Sequence, residues 1–293
     1  MDAVCIKGDW DVILDKNKAG KLLGVLVYHH RRVYGFNMII NPLMTAYNGI
    51  HLLYPDNLSN YEKGQFTYKH TQTLIDRLPK YSLYYQQYHT DYQNWLGLHW
   101  NGYKQTGKYT YIIDSSVGKE KLWSQLKRVV QKDITKAEEI CDIIEIDMNT
   151  FLSEAKQAFA DQNREQPANE EALLRLYSKL HDKGSLRIIA AQHKETGENL
   201  SAQIIVHDKN TSYALACYTR REKEMRTTLS LLLWQVISSN DRRYFDFDGS
   251  IIQGVERYMR SFGGELIPHH KIYKVTNPIL RLGLHVFKPQ FFG

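Results

Sequence analysis

Tyr244-Phe245-Asp246-Phe247-Asp248-Gly249-Ser250 reads as a short strand and a sharp turn, and Ile251 to Phe262, closed by Gly263-Gly264, as the helix that follows. Along 244–248 the side chains alternate: Phe245 and Phe247 point one way, and Tyr244, Asp246 and Asp248 the other. Gly249 suits a backbone position that a side chain would hinder. Ser250 with Gln253 three residues on fits a capping box, which places the helix start at Ile251. Ile251, Val255, Met259 and Phe262 then form an apolar stripe at helical spacing, and Gly263 is a natural stop. Two carboxylates thus stand at the carboxyl end of a strand beside a helix N-terminus, where ligands bind in open α/β sheets.

Upstream of this stretch the pattern is regular. Residues 148–163 and 170–181 read as helices, the second capped by Asn169, and three strands follow: Leu186 to Gln192, Leu200 to His207 and Ser212 to Tyr218. Short turns at Thr196-Gly197-Glu198 and Asp208-Lys209-Asn210 make them an antiparallel meander. Arg220 to Arg226 is a charged turn, Leu229 to Ile237 an apolar helix, and Leu266 to Val275 a last strand.

In the first half, 9–15 and Leu22 to His30 form a hairpin, Val33 to Ile40 a further strand, and Asn41-Pro42 breaks it. The loop Met44 to Gly49, with Tyr47 and Asn48, is a candidate rim for a ligand cleft. A helix over 59–78 is capped by Ser59 or Asn60 and ended by Pro79. Tyr81 to Tyr88 is a strand, and 95–115 gives two more, Leu96 to Tyr103 and Tyr109 to Asp114, joined by a turn at Gly107. Lys119 to Glu139 is the longest helical pattern, with Lys121, Lys127, Arg128, Lys132 and Lys136 on its outer face. The expected boundary follows it: one domain over 1–138 ending in this connecting helix, and a second over 139–293.

Composition bounds the class. The chain has 293 residues, is 43% hydrophobic, and carries twenty tyrosines and three scattered cysteines, Cys5, Cys141 and Cys217. That excludes a disulfide scaffold and a cysteine-based metal cluster. No apolar run is long enough to span a bilayer, and the start lacks a signal-peptide pattern, so a cytoplasmic location is expected, with peripheral membrane contact still open. A formal charge of +6 favours an anionic partner: a small anionic or nucleotide-linked substrate, tRNA or a membrane surface. His29-His30 and His269-His270 are adjacent strand pairs that point to opposite faces, so no metal site is expected. No phosphate-loop or nucleophile-elbow motif is present.

The order strand, helix, helix, three antiparallel strands, helix, strand, helix, strand resembles the GNAT acyltransferase fold. The first half shows a less complete version of the same elements, and the whole resembles the Fem-type peptidyltransferases, with two tandem GNAT-like domains. The residues behind this are Asn41-Pro42 with Tyr47-Asn48-Gly49, Lys127-Arg128 through Ile134-Thr135-Lys136-Ala137-Glu138, Leu231-Leu232-Leu233-Trp234, and Phe245-Asp246-Phe247-Asp248-Gly249-Ser250 with Ser261-Phe262-Gly263-Gly264. The resemblance implies an α+β fold, each domain a mixed, mostly antiparallel sheet flanked by helices. It also implies transfer of an acyl group from a CoA thioester or aminoacyl-tRNA to an amine, on a cell-envelope or polysaccharide precursor. Such a donor is a co-substrate; no tightly bound cofactor is expected.

That chemistry needs a bound donor, a base for the amine proton and a stabilised oxyanion. Asp246 or Asp248 is the candidate base and Tyr218 the candidate proton donor or hydrogen-bond partner. Arg220, Arg221, Arg226, Thr227 and Thr228 are candidates to hold the donor's phosphates, since a helix N-terminus favours anions. Tyr47, Asn48, Arg257 and Arg260 are candidates for substrate binding. Two positions depart from the relatives' patterns. Arg220 to Thr228 lacks the glycines that let backbone approach a pyrophosphate, and Met259 stands where Fem enzymes have a lysine. These departures leave two other readings: a non-catalytic module of the same fold that binds an anion, and an RNA-binding protein.

Overall fold

The computed structural model describes residues 1–164, 168–220 and 225–287, with side chains for all of these except 225–226 and 285–287. In chain order the strands and helices begin with β1 (Asp9–Lys16), β2 (Leu22–Val33), β3 (Phe36–Ile40), β4 (Gly49–Leu52), α1 (Asn60–Ile75), β5 (Leu83–Gln87), α2 (Leu96–Trp100) and β6 (Lys104–Asp114). They continue with α3 (Lys119–Gln125), α4 (Arg128–Ile140), β7 (Cys141–Glu145), α5 (Met148–Ala160), α6 (Glu170–Leu180), β8 (Leu186–His193), β9 (Asn199–His207) and β10 (Thr211–Thr219). The last are α7 (Met225–Ser238), β11 (Tyr244–Asp246), α8 (Gln253–Arg260), β12 (Glu265–Val275) and α9 (Pro278–Phe287).

The chain forms two compact units, Met1–Lys108 with Pro268–Gly293, and Tyr109–Ile267. In the first, the strand order is β1-β2-β3-β5-β12, with β4 added to β2. All pairs are antiparallel except β3 with β5. Its core is Leu26, Ile39, Ile50, Leu74, Tyr84, Tyr88, Leu98 and Ile272. Helix α1 is fixed by a complete Ser59–Glu62 capping box, which satisfies two of its orphan amides.

In the second unit the order is β6-β11-β10-β9-β8-β7. Only β10 with β11 is parallel. On one face, α3, α4 and α7 bury Leu122, Leu126, Val130, Ile134, Leu231, Trp234 and Ile237 against Phe245, Phe247 and Phe262. On the other, α5 packs Phe151 against Tyr218 of β10. The fold is α+β, as expected.

Several expectations are corrected. Leu96–Trp100 is helical, not a strand, and Gly107 lies inside the single strand β6. The long 119–139 helix is two, because Leu126 and Lys127 are extended and the Lys127 amide bonds Ser261 O at 2.8 Å. Helix α8 starts at Gln253, and Ser250 does not cap it; its Oγ accepts from the Ile252 amide. Ile251 is 72% exposed, so the stripe that meets the core begins at Met259 and Phe262. Contacts divide the chain differently from the boundary expected at 138: β6 pairs with β11 from Ile112 on, α3 and α4 belong to the second core, and β12 returns to pair with β5.

Candidate functional site

The strands β10 and β11 run parallel but pair at only three positions, Thr211 with Tyr244, Ser212 with Phe245 and Tyr213 with Asp246. Beyond that rung β10 continues for six residues to Thr219, while the other chain turns away at Asp248 and Gly249, both with φ of 60°. The strands therefore fork toward their carboxyl ends. The turn allows no alternative at its second residue: a Cβ on Gly249 would lie 2.1 Å from Tyr109 O.

Asp246 sits at the foot of the fork, 1% exposed. Its Oδ1 accepts the Thr110 hydroxyl at 2.5 Å and the Asp248 amide at 2.8 Å. The first expected carboxylate thus orders the turn carrying the second. A bulge shapes the other arm of the fork. The β9 register skips Leu215, between Ala214 and Ala216, and an extra residue reverses which face later side chains take. Ala214 packs with the α7 core, whereas Tyr218 packs on α5. The bulge thereby sets Tyr213, Tyr218 and Asp246 on one face of the sheet.

Tyr218 is 2% exposed and donates its hydroxyl to Glu154 Oε2. Glu154 also receives Asn199 Nδ2, at 3.1 Å and 3.2 Å. Burial first, and the Glu154 carboxylate second, hold the phenol well above its ordinary pKa. Tyr218 is therefore neutral, with its proton committed and its oxygen lone pairs left to accept. The sequence does not single out Glu154, because a glutamate on an amphipathic helix has the pattern of a solvated residue. The signal available was its position three residues from inward-facing Phe151.

After Thr219 the chain leads to α7, whose first turn holds Thr227, 7% exposed, and Thr228, fully buried. Arg220 leans back toward Glu198, 3.8 Å away. Arg221 and the side chain of Arg226 lie outside the described residues. On α8, Arg257 and Arg260 are exposed. Arg260 Nε is 3.2 Å from Glu256, which accepts the Tyr111 hydroxyl at 2.6 Å. Met259 packs against the core, so its position is a packing one in this chain.

Tyr47 and Asn48 belong to the first unit. The Tyr47 ring meets His89 and His269 edge-on, at centroid distances of 5.0 Å and 5.1 Å. The Asn48 amide donates to Gln87 O at 2.7 Å. Asn48 Nδ2 and His269 Nδ1 are buried without a hydrogen-bond partner among the described residues. Burial, aided by the charge of Lys108, pushes His269 down to about 4. His269 has no mark of its own in the sequence, since adjacent histidines on a strand differ only in the face they take. It is buried, while His270 bonds Gln93 O. Among the described residues no cluster of His, Cys, Asp and Glu has the makings of a metal site.

No family model matches the sequence, and no curated protein does. Solved structures do. FemX aligns with a TM-score of 0.68 and 11% identity over 94% of this chain and 90% of that one. L-PGS from Bacillus licheniformis gives 0.55 and 10% over 94% and 88%. A tandem GNAT protein from the clavulanic acid biosynthesis pathway gives 0.51 and 9% over 90% and 82%. At these identities the likeness is one of fold: the chain has a Fem-like, GNAT-type fold.

Proposed function

We propose that the protein is an acyl- or aminoacyltransferase whose donor lies in the fork between β10 and β11. The observation that carries this reading is the three-rung parallel ladder, beyond which β10 runs on to Thr219 while the neighbouring chain turns away at Asp248 and Gly249, with α7 the next helix in the chain. A fork of this kind leaves strand amides and carbonyls to pair with an extended amide-bearing donor. The helix N-terminus beyond it favours the donor's phosphates, with Thr227 and Thr228 in its first turn. An amine attacks the donor carbonyl, a C–N bond forms, and the thiol or hydroxyl leaves as the C–S or C–O bond breaks.

In this reading Asp246 or Asp248 takes the proton from the attacking amine, and Tyr218, its proton held by Glu154, orients groups through its oxygen. Arg257 and Arg260, in the same unit as Asp246, are proposed acceptor contacts. The fold neighbours support transfer chemistry of this class; a CoA thioester and an aminoacyl-tRNA are the two donor forms that the sequence resemblance implies. A cell-envelope or polysaccharide precursor is the acceptor that the resemblance implies. Incubation with panels of acyl-CoAs, charged tRNAs and amines tests the proposal. The wild type consumes one donor only when an amine is present, and Asp246→Asn lowers that turnover about 100-fold or more. Absence of any consumption removes the enzyme reading.

One observation favours a second reading, a non-catalytic binder of an anionic ligand: Asp246 Oδ1 already serves Thr110 and Asp248. A binder keeps its ligand affinity in Asp246→Asn and has no turnover to lose.

A further inference from the structure

From Leu266 to Gly293 the sequence holds no Asp or Glu, while Lys271, Lys274, Arg281 and Lys288 are cationic. Within this stretch lies α9, ten residues long. Asn277 caps it, accepting the Leu280 amide on Oδ1 at 3.0 Å, and Pro278 fills the first position, where its missing N–H costs nothing. Its start is tied down. The Thr276 and Asn277 amides reach Ser82 O at 3.0 Å and 3.5 Å, and the Thr276 hydroxyl bonds Tyr81 O.

The helix is apolar on both of its sides. Leu280 and Leu284 are half-buried, whereas Ile279 is 73% and Leu282 68% exposed, with Arg281 exposed between them. Residues three apart share a helix face, so Ile279 and Leu282 form one outward apolar edge. A surface helix of a water-soluble body normally turns a polar face outward. An outward edge that is apolar, flanked by arginine and set in a stretch free of carboxylates, complements a surface that is both apolar and negatively charged. At about 1.5 Å per residue α9 is roughly 15 Å long, half the hydrocarbon thickness of a bilayer, so it is suited to lie on a membrane and not to span one.

We infer that α9 seats the protein on an anionic lipid surface, with Ile279 and Leu282 entering the headgroup boundary and Arg281 meeting lipid phosphates. Hydrophobic and electrostatic contributions of this size give reversible, salt-sensitive attachment. The test is flotation of the full chain with vesicles of phosphatidylcholine alone and of phosphatidylcholine mixed with an equal part of phosphatidylglycerol. The protein floats with the mixed vesicles and is released by salt. Ile279→Glu with Leu282→Glu weakens flotation about tenfold or more, and Arg281→Glu by several-fold. Unchanged melting temperatures show that these exposed substitutions leave the fold intact. A second pair, Ile251→Glu with Ile252→Glu in the exposed turn just before α8, leaves flotation unchanged. The inference is overturned if the full chain stays with the soluble fraction, if the α9 variants float as well as wild type, or if the α8 pair removes binding instead. It is also overturned if light scattering shows a dimer that Ile279→Glu dissolves, since a second copy then covers the edge.

Discussion

Asp246 is a buried carboxylate on which the geometry of the turn depends: it accepts the Thr110 hydroxyl and the Asp248 amide. Thr110→Val removes a donor from a buried carboxyl group and is expected to cost about 1–3 kcal/mol, read by urea denaturation. Gly249→Ala forces a Cβ to 2.1 Å from Tyr109 O at a positive φ, and should cost about 2 kcal/mol or more in the same assay. His269 gives a pH signature. With a folded pKa near 4 against an ordinary 6.5, the native ring stays neutral while the unfolded one takes up a proton. The stability linked to this difference is fully present above about pH 6.5 and is lost as pH falls toward 4, by about 3 kcal/mol in all. His269→Gln should flatten that part of the stability profile.

At the scale of elements, the bulge at Leu215 decides which face Tyr218 takes. Deleting Leu215 restores simple alternation and turns Tyr218 away from Glu154, with an expected loss of about 3 kcal/mol or more. Tyr218→Phe, which removes only the hydroxyl, should cost about 1–3 kcal/mol. Calorimetry distinguishes the two. What was legible in the sequence follows the same physics. The alternation at 244–248 placed Phe245 and Phe247 in the core and Asp246 on the opposite face, as found. Asn169 caps α6 as read. Helix α2 was not legible, because five residues are too few for periodicity and Trp95 and Trp100 favour strands. The α3–α4 break was hidden because it is made by a tertiary bond, from Lys127 to Ser261 O. The bulge leaves no local mark, since Ala214-Leu215-Ala216 reads as ordinary strand.

For the whole molecule, the two units are not sequence halves. The second takes Tyr109 to Ile140 into its sheet and core, and β12 carries the chain back into the first. A fragment of residues 139–293 lacks β6, α3 and α4, and so lacks Ile113, Leu122, Leu126, Val130 and Ile134 from its core. It should show no cooperative thermal unfolding, whereas the full chain does. The order of elements was readable because each helix and strand carries its own periodicity. The division was not, since sheet partners far apart in sequence, such as β6 and β11, leave no local pattern.

The central claim is that the acyl donor sits in the β10–β11 fork, and deuterium exchange tests it most directly. On adding the donor that the protein consumes, amides in 214–219 and in the first turn of α7 should exchange more slowly, while β7 and β8 stay unchanged. Consumption of the donor with no slowing at 214–219, or with protection confined to other elements, would contradict the assignment.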